Sequence, residues 1–146
     1  MNIETGTWVL VADGEKYLLL RNIGDAELID LRVMRHEEQD NPPTREQGAD
    51  RPGRLGDPGG RGRSAVEETD WNRLEKERFA KDLAEQLRVW ALANRFPRLV
   101  VVADPRTLGV LRPEFHKAVT ERLVAEIDKD LTGAPISEIE ASLKAA

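Results

Sequence analysis

The stretch that decides the fold is residues 8–22, WVLVADGEKYLLLRN. Two apolar, β-rich runs flank Asp13-Gly14, the dipeptide that most strongly predicts a tight hairpin turn. This pattern predicts one strand over Trp8–Ala12 and a return strand over Lys16–Asn22. After a second turn at Gly24-Asp25, residues 28–35 alternate apolar with polar side chains from Ile29 on, which predicts a third, half-buried strand. Residues 1–38 therefore predict an antiparallel meander.

The second half of the chain changes to a helical period. A stripe at three- to five-residue spacing predicts one helix of about seven turns, and it consists of Trp71, Leu74, Phe79, Leu83, Leu87, Trp90 and Ala91. The helix is expected to begin at the capping box Ser64–Glu67, or at Thr69 or Asp70, and to be stopped by Pro97. Its charged side chains are expected to face water: Glu75, Lys76, Glu77, Lys81, Asp82 and Glu85.

Shorter elements follow this helix. Residues 99–103 are continuously apolar, which is typical of a strand covered on both faces. Helical turns are expected over residues 107–112 and 114–119, a fifth strand rather than more helix over 123–127, and a last helix from Ser137. The order predicts an α/β fold in one domain, residues 1–146, with a mixed sheet that combines the N-terminal antiparallel meander with α-β-α-β units and is flanked by helices.

A long polar loop, residues 40–66, separates the two halves. Residues 48–62 hold six of the eleven glycines, and residues 42–58 hold four of the eight prolines. Residues 51–65 carry a charge of +3, whereas the rest of the chain sums to −8. A loop of this length is uncommon inside a compact domain, and a basic loop on an acidic body predicts contact with phosphate or an acidic partner. The plain alternative is a solvated linker.

Composition narrows the classes of protein. The chain has no cysteine, so disulfides, thiolate nucleophiles and thiolate metal sites are excluded. It shows no apolar run long enough for a membrane span and no signal-peptide pattern, so a cytoplasmic protein without membrane partners is expected. A pI near 5.2 argues against non-specific nucleic-acid binding by the body of the protein.

Three aspartates are candidates for a metal site. Asp13 and Asp104 follow predicted strands, and Asp128 follows the predicted fifth strand. Carboxylates at strand ends can hold Mg²⁺ for a hydrolase of nucleic acid or phosphate esters. Asp-Gly and Asp-Pro are also ordinary turn dipeptides, and that interpretation is favoured, so no metal or cofactor is expected.

Several motifs, in order, resemble the bacterial family of host attachment proteins over nearly the full length. They are residues 8–14 (WVLVADG), 41–46 (NPPTRE), 50–54 (DRPGR), 63–67 (RSAVE), 70–71 (DW), 77–80 (ERFA), 105–109 (PRTLG), 116–117 (HK) and 126–132 (EIDKDLT). The resemblance implies an RNase H-like α/β fold and a role in attachment to host cells.

That family is in turn similar to the central domain of eukaryotic-type peptide-chain release factors. In that domain a loop of the type GRGGQSA precedes a long helix, and here residues 60–65, GRGRSA, do the same. The loop glutamine that positions water for ester cleavage has no counterpart, because Arg63 stands about where it would be. The resemblance therefore implies contact with RNA or the ribosome without peptidyl-tRNA hydrolysis.

The favoured prediction is a non-catalytic protein whose basic loop contacts RNA, the ribosome or another acidic partner, with an indirect role in attachment. Planar guanidinium groups bind phosphate bidentately, and glycines let the backbone approach closely. The residues expected to make this contact are Arg45, Arg51, Arg54, Arg61 and Arg63, with the loop glycines Gly53, Gly59, Gly60 and Gly62. Two alternatives stay open: the metal-dependent hydrolase and a surface adhesin.

Overall fold

The computed structural model describes residues 1–38 and 65–146. Its five strands are β1 (Trp8–Ala12), β2 (Lys16–Asn22), β3 (Leu31–Glu38), β4 (Leu99–Ala103) and β5 (Leu123–Asp128). Its helices are α1 (Ala65–Leu92), α2 (Pro105–Leu111), α3 (Lys117–Thr120) and α4 (Ile136–Ala145), with a 3₁₀ turn at Arg112–Glu114. No helix in these two ranges is long and apolar enough to cross a membrane.

The strands form one mixed sheet in the order β3-β2-β1-β4-β5. The hairpins β1–β2 and β2–β3 are antiparallel, and β1 pairs parallel to β4, which pairs parallel to β5. The turn between β1 and β2 lies at Asp13-Gly14, as the sequence predicts. The predicted fold class is confirmed: an α/β protein with a mixed sheet flanked by helices. A single domain over residues 1–146 stays a prediction.

The first face of the sheet packs against α1, α2 and α3. β1 and β4 contribute side chains such as Leu10 and Val101, and α1 contributes Leu83 and Leu87, all of them buried. Trp8 lies within aromatic contact of Trp90, with ring centroids 5.6 Å apart. Ala80 and Ala84 are also buried, and their small side chains let α1 lie close to its neighbours.

The second face packs against α4 and the loop between β2 and β3. Val9, Val11, Val100 and Val102 alternate with the first-face residues and are fully buried. This explains why β1 and β4 read as continuous apolar runs: both of their faces are covered. The prediction that residues 123–127 form a strand is confirmed by β5.

Several predicted boundaries are wrong, among them those of the helical turns expected over residues 107–112 and 114–119, which lie at Pro105–Leu111 and Lys117–Thr120. β3 begins at Leu31 rather than residue 28, because Asp25 Oδ1 accepts the backbone N–H of Leu28 and holds that stretch in a turn. Helix α1 ends at Leu92, well before Pro97. Asn94 has a φ of 59°, and backbone N–H groups after the helix donate to the carbonyls of its last turn, so the chain leaves the helix without needing the proline.

The predicted helical stripe is wrong at its N-terminal end. Leu74 is 50% exposed, whereas Glu75, expected in water, is only 8% exposed. At about 100° per residue, Glu75 lies nearly above Phe79 on the buried side, and Leu74 is turned away from it. Arg78 Nη1 lies 3.3 Å from Glu75 Oε2, so the buried carboxylate has a cationic partner. The side chain of Trp71, the first residue of the predicted stripe, is not among those that the structure describes.

Candidate functional site

The carboxyl ends of β1, β4 and β5 lie at one edge of the sheet, because the three strands are parallel. In register, Ala12 pairs with Ala103, and Ala103 pairs with Asp128. We call this side of the molecule the carboxyl edge. In open α/β sheets, ligands bind in the crevice outside such strand ends, so this edge is the first place to look for a site.

Both flanks of the predicted basic loop lie at the same edge. The last residue of β3, Glu38, pairs with Lys16 beside the β1–β2 turn. α1 runs from this edge towards the other, because Lys76 in its N-terminal half contacts Gly14 and Trp90 near its end contacts Trp8. The loop residues predicted to bind a partner lie outside the described residues: Arg45, Arg51, Arg54, Arg61, Arg63, Gly53, Gly59, Gly60 and Gly62.

Asp13 closes the β1–β2 turn. Its Oδ1 accepts the backbone N–H groups of Glu15 at 2.7 Å and Lys16 at 2.9 Å. Its Oδ2 lies 3.1 Å from the Thr132 hydroxyl, which connects the turn to the segment after β5. Oδ1 therefore fixes the backbone of the turn, and Oδ2 links the turn to the Thr132 side chain.

Asp104 caps α2. Its Oδ1 accepts the Thr107 hydroxyl at 2.6 Å, and its Oδ2 accepts the Thr107 N–H at 3.2 Å. Burial acts to raise the pKa of Asp104, but the hydrogen bonds from Thr107 and from the backbone N–H groups of Asp104 and Arg106 together outweigh burial and leave the pKa below its ordinary value. The side chain is therefore ionised at neutral pH and satisfies the first turn of a helix.

Asp128 does not join the other two aspartates. It is exposed, and its register partner Ala103 packs in the first core. Asp13, by contrast, accepts a hydrogen bond from Thr132, which follows Leu131 of the second core. Within residues 1–38 and 65–146, no three His, Cys, Asp or Glu side chains are grouped as metal ligands. The structure thus assigns Asp13 and Asp104 to turn and cap roles and brings no aspartate trio together.

A cleft opens at the carboxyl edge between the β1–β2 turn, α1 and α2. Its empty volume is about 290 Å³, counting the part open to solvent. Lys76 and Arg106 lie among its lining residues, together with apolar side chains from both helices. A Cβ added to Gly14 would lie 2.8 Å from Lys76 Cγ and Cδ, so the aliphatic part of this lysine packs directly on the turn.

Sequence reasoning missed Lys76, Arg106 and Thr107 as members of one site. Lys76 reads as one more charged residue on the exposed side of a helix, and Arg106 belongs to a motif with no assigned chemistry. The signal that could have found them is topological. Two predicted parallel strands, each followed by a turn residue, bring the Asp13-Gly14 turn and the start of α2 together at one edge.

A known protein family matches nearly the whole chain. No curated protein matches the chain. The sequence profile of bacterial archaeo-eukaryotic release factor family 12 matches residues 6–143, which include all five strands, the first three helices and most of α4. This match supports the relation to release factors that residues 60–65 suggested, and it does not address attachment to host cells. Because the match covers nearly the whole chain and the mixed sheet is compatible with such a domain, the chain belongs to bacterial archaeo-eukaryotic release factor family 12.

Proposed function

We propose that this protein is a non-catalytic release-factor-like protein of the cytoplasm whose basic loop contacts RNA on or from the ribosome. The observation that carries the proposal is family membership combined with an uneven distribution of charge. Residues 51–65 carry +3 while the rest of the chain carries −8. A polyanion is attracted to such a segment and repelled by the remaining surface, so contact is expected to be local and sensitive to salt.

The described flanks support this role for the loop. β3 ends and α1 begins at the carboxyl edge, so the scaffold holds both ends of the loop on one side of the molecule. β1 and β4, which carry that edge, are fully buried on both faces. A rigid support that fixes both ends of a segment lowers the conformational entropy lost when the segment binds.

Catalysis of ester cleavage is not part of the proposal. Arg63 stands where release factors carry a glutamine that positions water. A guanidinium has five N–H donors and no acceptor, so it cannot accept a hydrogen bond from an attacking water. Arginine is well suited to phosphate, which it binds bidentately and with a permanent charge. The substitution therefore favours binding over hydrolysis.

The resemblance to host attachment proteins would then reflect an indirect effect. A protein that acts on RNA or ribosomes can change the synthesis of surface components without reaching the surface itself. The hydrolase alternative has no comparable support, because Asp13 and Asp104 already accept turn and cap hydrogen bonds, and the described residues contain no group of three metal-ligand side chains.

The test compares two variants of equal charge. In the loop variant, Arg51, Arg54, Arg61 and Arg63 become alanine. In the control variant, four exposed cations outside the loop become alanine: Arg21, Arg95, Lys129 and Lys144. Each variant loses four positive charges, so the net charge falls from −5 to −9 in both. Tagged proteins are used to capture partners from lysate with and without RNase, and RNA affinity is measured across salt concentrations.

We expect the loop variant to lose ribosomal or RNA partners and the control variant to keep most of them. Log affinity falls with log salt, and each lost phosphate contact should make this slope shallower by about one. The proposal fails if the wild type shows no salt-dependent RNA binding, or if both variants bind equally well. Urea unfolding of both variants confirms that the fold is intact.

A further inference from the structure

Three arginines lie on the first face of β2 and β3, beside the end of α1. Arg21 pairs in register with Trp8 of β1, which packs in the first core, so both side chains lie on that face. Arg32 is the partner of Arg21 across β2 and β3. Side chains directly opposite each other in antiparallel strands have Cβ atoms about 4.5–5.5 Å apart. The two arginines are therefore immediate neighbours.

A β-bulge brings the third arginine to the same face. The register between β2 and β3 shifts next to Leu19 of the first core, which has Arg35 as its partner. Arg35 comes three positions after Arg32, so in a regular strand the two would point to opposite faces. The extra residue of the bulge turns Arg35 back. Its guanidinium carbon lies 5.6 Å from the centroid of the Trp90 ring on α1.

Asp30 neutralises only part of this positive charge. Its carboxylate oxygens accept from Nε and Nη2 of Arg32, at 2.9 and 3.2 Å. A guanidinium has five N–H donors, so Arg32 keeps donors for another anion. Arg21 is exposed and forms no ion pair within residues 1–38 and 65–146. Like charges directly opposite each other in a sheet are unfavourable, so a bound anion would relieve this pair.

The charges around the three arginines favour a small anion over a long one. Residues 86–98, at the end of α1, hold three arginines and no acid. Along β3 the neighbours are acidic, because residues 25–30 hold three acids and residues 37–38 are both glutamates. A nucleic-acid strand that followed β3 would be repelled at both ends. A single anionic group at the arginines avoids both.

A phosphate monoester matches two neighbouring arginines better than a carboxylate does. It carries a charge of about −1.5 to −2 at pH 7 and three acceptor oxygens on one phosphorus atom. Two guanidinium groups can therefore bind different oxygens of the same group, each through its planar fork. A carboxylate has a single charge and two oxygens, which one arginine occupies, as Arg32 does with Asp30.

We propose that Arg21, Arg32 and Arg35 form a binding site for a phosphate monoester, carried either by a small metabolite or by a phosphorylated side chain. Arg21 and Arg32 bind the phosphate oxygens, and Arg35, positioned by Trp90, adds a third positive charge. The phosphodiester linkages of RNA carry one charge and two free oxygens each. The site is therefore distinct from the RNA contact assigned to the loop and does not rest on it.

The experiment uses the full chain labelled with ¹⁵N, and it follows the side-chain Nε–H signals of Arg21, Arg32 and Arg35. The probes are inorganic phosphate, the blocked peptide Ala-phosphoserine-Ala and the dinucleotide UpU, which has a diester and no terminal phosphate. We expect saturable shifts with the first two probes and none with UpU at the same millimolar concentrations. Tighter binding of the peptide than of inorganic phosphate assigns a phosphorylated side chain, and the reverse assigns a small metabolite.

The pH dependence of binding tests whether the dianion is the form recognised. The second pKa of a phosphate monoester is about 6, so the dianionic fraction of the peptide rises roughly fourfold between pH 5.5 and 7.5. The affinity for the peptide should rise by about the same factor. Sulfate keeps its charge over this range and serves as the control for any titration of the protein itself.

Two variants of equal charge show whether the arginines carry the binding. Arg21→Gln with Arg32→Gln removes the neighbouring pair, and the control Lys129→Gln with Lys144→Gln removes two exposed cations elsewhere. We expect the first to weaken the phosphopeptide by about tenfold or more and the control to leave it within about twofold. Arg21→Lys keeps the charge without the planar fork and should weaken binding severalfold.

Several results would overturn the proposal. They are an absence of shifts at millimolar phosphopeptide, equal binding of UpU, an affinity for the peptide that changes with pH no more than that for sulfate, or equal losses in the two double variants. If the arginine double variant does not fold, full binding by Arg21→Lys overturns it instead. RNA binding by the loop is measured separately, so either proposal can fail while the other stands.

Discussion

Asn22 is the residue that organises the turn beyond β2. It is fully buried, and its amide makes five hydrogen bonds. Nδ2 donates to the carbonyl of Ile3 at 2.7 Å, and Oδ1 accepts the N–H groups of Gly24 at 3.0 Å and Asp30 at 2.9 Å. One side chain therefore joins the N-terminal segment to both sides of the β2–β3 connection. The sequence offers no sign of this role, because an asparagine at a strand end reads as an ordinary turn residue.

Asn22→Leu keeps the size of the side chain and removes every one of these bonds. Each buried group left without a partner costs about 1–3 kcal/mol, so we expect the free energy of unfolding to fall by about 3 kcal/mol or more. Urea unfolding measures it. Arg21→Leu, at the exposed neighbouring position, should change stability by no more than about 0.5 kcal/mol. Equal losses in the two variants would show that the network contributes nothing specific.

Asp104 gives the second prediction at this scale. The pKa of its carboxyl is lowered in the folded protein because the hydrogen bonds from Thr107 and from the backbone of Asp104 and Arg106 together outweigh burial. A lowered folded pKa means that the stabilisation is complete above the unfolded pKa and is lost as pH falls through the folded pKa. Asp104→Ala should cost about 1 kcal/mol at pH 7, the usual value of an N-cap.

The difference between wild type and Asp104→Ala should begin to shrink as the pH falls below the ordinary aspartate pKa of about 4 and should be lost as the pH passes through the lowered folded pKa. Urea unfolding at a series of pH values measures it. Asp128→Ala, at the exposed end of the neighbouring strand, serves as the control and should change the free energy of unfolding at pH 7 by no more than about 0.5 kcal/mol. A pH-independent loss at position 104 would contradict the assignment of the charged cap.

At the scale of elements, sequence periodicity located most strands and the long helix. β1, β2 and β4 have the predicted bounds, because alternation and continuous apolar runs report directly on covered faces. The errors in the helical stripe arose at positions where an apolar residue is not buried. Leu74 extends the stripe in the sequence but is turned away from the sheet, and Glu75 occupies the inward position with Arg78 as its partner. The rotation of a helix is set by what it packs against, which periodicity alone does not contain.

The end of α1 also differs from the prediction. Pro97 was the visible stop signal, but Asn94 ends the helix with a positive φ of 59°. Its N–H donates to the Ala91 carbonyl at 2.9 Å, and the Arg95 N–H donates to the Trp90 carbonyl at 2.9 Å. Asparagine tolerates this left-handed conformation better than most residues, which makes it a helix terminator that sequence rules rank below proline.

Asn94→Ala should therefore destabilise the protein by about 1 kcal/mol, because alanine keeps the β-carbon but loses the short polar side chain that lets asparagine tolerate the left-handed region. Asn94→Gly should be close to wild type, since glycine adopts this conformation freely and loses only the 3.3 Å contact from Arg122 Nη1 to the Asn94 side chain. Thermal or urea unfolding of both variants measures the difference. Alanine and glycine variants of equal stability would mean that the backbone conformation carries no cost here.

At the scale of the whole molecule, the topology was predictable and the site was not. Three antiparallel strands followed by α-β-α-β units leave few arrangements, and the order β3-β2-β1-β4-β5 is one of them. The cleft depends on how Lys76 and Arg106, thirty positions apart in the chain, come to line the same crevice at the carboxyl edge. That meeting follows from the packing of α1 and α2 on one face, which no local pattern encodes.

The second face provides the last prediction, because it is closed mainly by the C-terminal helix. Leu143 of α4 is fully buried and packs with Ile139 against the valines of β1 and β4. Leu143→Ala should lower the free energy of unfolding by about 2–5 kcal/mol, the loss of buried area plus the cavity left behind. The control is Leu92→Ala, the same chemical change at a leucine that is 59% exposed, and it should cost less than about 0.5 kcal/mol. If the two variants unfold at the same urea concentration, α4 does not complete the core, and the two-faced architecture that holds the carboxyl edge rigid would have to be abandoned.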